Sequence, residues 1–226
     1  MVQQLLAVFA PMLLGAQLIL TLILVKGDIC PGQRGRIHKM LPSLAILWLA
    51  VASLRIEAMM VVFAIWYFYS QVQTKKTRDQ GPLWVMYLAN GLAIAYVAIE
   101  IGAQSTLAAS LSVFVEIILL GALLAHLLLT IARTRLQAFH RILPVSGVVA
   151  AMLMSVAILL KAYALDSETL TAVTQPLLVG FALMITSVLV WSWHMLAAKE
   201  INKLQLAIAL AFMLIATTSN QALFAL

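Results

Sequence analysis

The chain has 226 residues, 64% of them hydrophobic and 10% charged, with a mean hydropathy of +1.07. Soluble domains run at about 45–50% apolar and ~25% charged, so an ordinary water-soluble fold is excluded. The net charge of +6 would suit nucleic acid in a soluble protein, but here the charges fall in short loops between apolar runs, where they meet lipid headgroups, and no nucleic-acid partner is expected.

The first apolar run, Leu5–Val25, lacks a basic leader and is too long for a signal-peptide core, so it reads as a first membrane span. A basic loop at 26–40 holds the single cysteine, Cys30, which cannot form an internal disulfide. The second run, Leu41–Gln71, is apolar almost throughout but carries Arg55 and Glu57 near its middle, and its last turn is an aromatic belt of Trp66, Tyr67, Phe68 and Tyr69. Further spans are expected over Leu83–Ile101, Leu111–Ala132, Ile142–Leu165, Pro176–Ala197 and Leu204–Leu226. All read as helices, because an unpaired backbone cannot sit in lipid. The expectation is an all-α polytopic membrane protein, a seven-transmembrane-helix bundle forming one domain over 1–226. Gly15, Gly91, Gly121 and Gly147 would let its helices pack closely.

Loop charge sets the expected orientation. With the N-terminus in the cytoplasm, eight basic residues fall inside (Lys75, Lys76, Arg78, Arg133, Arg135, Arg141, Lys199, Lys203) and four outside (Lys26, Arg34, Arg36, Lys39). The positive-inside rule then gives N-terminus in and C-terminus out, in a cell membrane read as the bacterial inner membrane.

Two segments look alike. Leu13-Leu14-Gly15-Ala16 matches Leu119-Leu120-Gly121-Ala122, and His38-Lys39-Met40-Leu41-Pro42 matches His140-Arg141-Ile142-Leu143-Pro144 in the same order. With three spans per half, such a repeat would be inverted, giving a 3+3 inverted repeat plus one helix. That device recurs in transporters with a midplane site.

Three constellations carry candidate chemistry. Arg55, Glu57, Asn90 and His126 fall at comparable depth when residues are counted along the spans, forming an intramembrane polar layer for transport or relay. Arg55 and Glu57 are two apart, about 200° around a helix, so they meet different partners. Glu100, Glu116 and Lys161 lie near the outer interface and suggest a vestibule. His126 and His194 are the pair for a haem b or metal, although no close metal-ligand spacing such as HxxxH occurs. His38 and His140 flank basic loops and read as headgroup contacts. No phosphate-binding, hydrolase or metalloprotease signature is present, so no enzymatic activity is indicated. The absence of a lysine in the seventh span removes a retinal Schiff base.

The leading reading is therefore transport of a small solute or ion, protons included, or a membrane subunit of a larger complex. The alternatives are a haem-binding electron-transfer subunit and a sensory or scaffold bundle. The bilayer is the one partner implied directly; other membrane subunits are an open expectation.

Overall fold

A computed structural model describes residues 2–72, 80–134, 136–198 and 200–224. Among these residues, six helices are long and apolar enough to cross a bilayer: α1 (Val2–Lys26), α5 (Leu83–Gly102), α6 (Leu107–Ile131), α7 (Gln137–Tyr163), α8 (Ser167–Leu196) and α9 (Lys203–Phe224). Between α1 and α5 lie a short α2 (Pro31–His38), then α3 (Leu41–Ala52), a single 3-10 turn at Ile56–Ala58 and α4 (Met59–Gln71).

The expected single span over Leu41–Gln71 is thus replaced by a helical hairpin. Arg55 is extended (φ −142°, ψ 114°), and α4 folds back alongside α3. His38, just before α3, packs edge-on against Phe68 near the end of α4, with ring centroids 5.6 Å apart. Both ends of the hairpin therefore lie at one face of the bundle. The physical reason is charge. A continuous helix would be about 46 Å long at 1.5 Å per residue, against a core of ~30 Å, and would leave Arg55 and Glu57 near mid-membrane. Each charge there costs roughly 2.5–3.5 kcal/mol. Folding back carries both to the opposite face, where both are exposed. Ser53 Oγ assists by donating to the Ala50 carbonyl (2.6 Å), which competes with helix continuation.

The hairpin changes the sense of everything after it. α1 and α6 run parallel, not antiparallel, and form the central pair. They cross where Gly15 meets Gly121: a Cβ on Gly121 would lie 2.5 Å from the Gly15 Cα, and a Cβ on Gly15 would lie within 3 Å of the Gly121 Cα. Only glycine on both helices permits that approach. α3 and α5 flank α1 as α7 and α9 flank α6, α4 packs on α5 as α8 packs on α9, and α9 reaches α1 as α5 reaches α6. The two halves, α1-α3-α4-α5 and α6-α7-α8-α9, therefore run in the same direction. The similar segments identified in the sequence occupy matching places, but the arrangement is four plus four in one sense, not three plus three inverted.

The core is the central pair: 72% of the apolar window of α1 is buried, against 17% for α8, which lines the rim. Ile46, Phe63, Trp66, Trp84, Met152 and Leu159 point outward as a lipid-facing surface. Charge separates along the bundle axis. Lys26, Arg34, Arg36, Lys39, Arg133, Arg141 and Lys203 belong to the face holding α2 and the hairpin ends, here the basic face. The opposite face, at the hairpin tip, holds Glu57, Glu100, Glu116, Asp166 and Glu168 with Arg55 and Lys161. Asp166 caps α8 there. The Thr169 N–H (2.9 Å) and hydroxyl (2.7 Å) donate to its carboxylate and hold it below its usual range. Lys75, Lys76, Arg78, Arg135 and Lys199 lie outside the described residues.

Candidate functional site

Three polar clusters sit at three depths. The first is at the basic face, between α6, α7 and α8. The Trp191 indole N–H donates to His126 Nδ1 (2.8 Å). That acceptor role leaves the His126 proton on Nε2, which donates to His140 Nδ1 (3.0 Å). His194 places Nδ1 3.0 Å from the Trp191 carbonyl and Nε2 3.1 Å from the His140 carbonyl. Trp191 reaches His126 only because residue 147 is glycine: a Cβ there would lie 2.0 Å from the Trp191 ring.

His140 and His194 form one wall of a cavity of about 1260 Å³, completed by Thr130, Arg133, Thr134, Gln137 and Arg141. Arg133 ends α6 in the left-handed region (φ 50°), where a non-glycine residue costs about 1–2 kcal/mol. The strain places a guanidinium on the cavity wall. With Arg133, Arg141 and two imidazoles against the single carboxylate of Glu200, the cavity is chemically suited to an anion.

The second cluster is in mid-membrane. Gln17 bridges two elements: its Nε2 donates to Asn90 Oδ1 (2.9 Å) and its Oε1 accepts from the Trp48 indole N–H (3.0 Å). Thr21 donates to the Gln17 carbonyl (2.8 Å) and lies 3.4 Å from Asn90 Oδ1. This network ties α1, α3 and α5 together.

The third is a smaller cavity of about 230 Å³ at the hairpin tip, where Arg55, Glu100, Gln104, Glu116 and Gln221 converge on the N-terminal part of α1. The Arg55 guanidinium lies over the Tyr96 ring, 5.9 Å from its centroid. Glu116 is 3% exposed, and its Oε2 has no hydrogen-bond partner.

The expected single layer is therefore not assembled: Arg55, Asn90 and His126 fall in three different clusters, and Glu57 lines none of them. Asn90 alone lies at mid-depth, because the hairpin moves Arg55 and Glu57 to one face while His126 closes the cluster at the other. Glu100 and Glu116 do share a cavity, and Arg55 joins them; Lys161 is buried on α7 at the same face but does not line it. His126 and His194 are close (ring centroids 5.7 Å). Yet one has its Nδ1 lone pair engaged by Trp191, and the other turns both nitrogens to carbonyls. Axial ligation of haem b needs a free lone pair directed at the iron, which these contacts do not offer. Among the described residues, no group of three or more His, Cys, Asp or Glu is placed to hold a metal ion.

Sequence reasoning missed Gln17, Trp48, Trp191 and the cavity arginines, and read His140 as a headgroup contact. The signal for His140 was present in the paired His-basic-x-Leu-Pro segments, which place an imidazole at the start of α7 just as His38 precedes α3.

Fold and clusters together define a polytopic α-helical membrane protein with polar sites buried at both faces. The chain belongs to a family described as an integral membrane domain, matched over residues 1–219. A protein of Haemophilus influenzae, described as uncharacterized, is 34% identical over 158 residues. The match covers 64% of this chain and 58% of that relative's length. No solved structure matches the chain.

Proposed function

We propose that this protein transports a small anionic solute, loading it in the cavity at the basic face. The observation that carries the reading is the convergence of Arg133, Arg141, His140, Thr130 and Thr134 on one space of about 1260 Å³ at a membrane face. Charged donors of this kind, backed by a hydrogen-bonded Trp191–His126–His140 chain, recognise carboxylates, phosphates or sulfonates. A transport site also accounts for polar clusters at three depths, which a bundle held by lipid-facing packing alone does not require.

The basic face is assigned to the cytoplasm of a bacterial cell, with both described ends of the chain on the other side. This replaces the N-in, C-out expectation, because the hairpin brings the loop at 26–40 to the same face as the other basic loops. A role as a subunit of a larger complex is the second reading; the rim helix α8, little buried within this chain, is the surface such a partner would cover.

The test is uptake into proteoliposomes of a panel of labelled phosphate, carboxylate and sulfonate anions. Saturable uptake of at least one is expected, falling about tenfold or more in Arg133→Gln and Arg141→Gln, the equivalent of about 1.4 kcal/mol. No uptake above protein-free vesicles by a folded protein overturns the reading. Orientation is checked with Cys30, the only cysteine in the sequence and exposed on the basic face. A membrane-impermeant maleimide added to intact cells is expected to spare Cys30 and to label a cysteine placed at Glu168.

A further inference from the structure

We propose that Glu116 is a proton-exchange site controlled by Arg55, the proton being released when the hairpin tip swings Arg55 from Tyr96 onto the Glu116 carboxylate. This site lies at the face opposite the anion cavity and stands independently of which solute is carried. Its first support is burial. Glu116 is 3% exposed on the central helix α6, and Oε2 has no partner. An ionised carboxylate cannot persist there alone, so the group either holds a proton or acquires a counter-charge.

The second support is the cavity of about 230 Å³ into which Glu116 faces. It is lined by Gln104, Gln221 and Glu100, and is polar and roomy enough for water to connect the carboxyl with the membrane face. The third is the position of Arg55. It lines the same cavity, is held over Tyr96 by a ring contact at 5.9 Å, and sits at the one extended residue between α3 and the 3-10 turn. Its backbone is tied to Val51 and Ala58, so the movement is one of the long exposed side chain. A charge-assisted bond to a carboxylate is stronger than an exposed cation–π contact.

The charged and titratable groups at this site are Arg55 and Glu57 on the tip and Tyr96 and Glu100 on α5. From α1 and α9 only Ala7, Pro11 and Gln221 line the cavity, and Lys161 of α7 does not. The step is a simple transfer. The Glu116 O–H bond breaks, its proton passes to water in the cavity and then to Glu100 or the bulk at that face, and Arg55 replaces its charge. Reprotonation returns Arg55 to Tyr96.

The experiment is an infrared titration of the purified protein in lipid nanodiscs, following the protonated-carboxyl stretch. A titrating band is expected that disappears in Glu116→Gln, persists in Glu100→Gln and changes frequency in Glu116→Asp, which keeps the acid if the glutamine variant fails to fold. Its midpoint is expected to rise by about one pH unit or more in Arg55→Gln, since a nearby cation favours the carboxylate. A band that survives Glu116→Gln, never titrates, or is unmoved by Arg55→Gln overturns the proposal. None of these readouts depends on anion uptake.

Discussion

The two ends of the bundle solve the same problem in opposite ways. At the basic face, the groups between α6, α7 and α8 form a hydrogen-bonded chain, while His38 before α3 is buried without a partner. His126 uses both ring nitrogens, His194 lies between two carbonyls and as a neutral ring donates to one of them, and the remaining charge lines an open cavity. At the hairpin tip, Glu116 Oε2 and the Tyr96 hydroxyl have no partner, and Arg55 rests on an aromatic ring. A saturated network rigidifies, whereas unsaturated groups cost stability and are retained where they serve movement. The first end reads as a fixed binding surface, the second as the part that changes state.

That contrast can be broken by substitution. The largest effect is expected for His126→Leu, which strands the Trp191 N–H and one His140 nitrogen; about 3 kcal/mol of stability should be lost, measured by unfolding in detergent. Gly147→Ala should cost about 2 kcal/mol, because the new methyl collides with Trp191 and draws it off His126. Glu116→Leu should instead gain about 1 kcal/mol, since it removes an unsatisfied polar group. A loss there comparable to that of His126→Leu would erase the distinction between the ends.

A pH effect of similar size is expected at the basic face. His38 is fully buried with neither ring nitrogen hydrogen-bonded. Burial, helped by Arg34, lowers its pKa from 6.5 to about 4. Between those values the unfolded chain binds a proton that the folded chain does not, so stability falls as pH drops through that window. From pH 7 to 5 the His38 share is about 2 kcal/mol, and it should vanish in His38→Phe. Arg55→Gln, at the other end, should change stability by less than about 0.5 kcal/mol, as its contacts are exposed.

That the apolar runs are helices was legible in the sequence because lipid leaves the backbone no alternative. The break at Ser53–Arg55 was not, because no glycine or proline marks it. Its cause is the cost of two charges at depth, which a count of apolar residues registers as a continuous span. That one misreading propagated: it set the depth of Arg55 and the sense of the second half. Glu100 lies near the end of α5 but Glu116 is the tenth residue of α6, so position along the spans does not by itself give their shared cavity. Gln17 was not readable either, because a glutamine in a first span gives no hint of which indole or amide it will meet. The likeness of residues 13–16 to 119–122 was visible, but only the fold shows the two glycines in contact.

The turn at the hairpin tip also bears on how such a chain arises. The hairpin of α3 and α4 enters and leaves at one face, so α5 starts on the side where α1 ends. A head-to-tail fusion of two copies of a gene for such a half inserts both products the same way round. No ancestor able to insert in either orientation is needed, as an odd-numbered half would demand. The extended backbone at Arg55 is thus what lets both halves of the chain run in one direction.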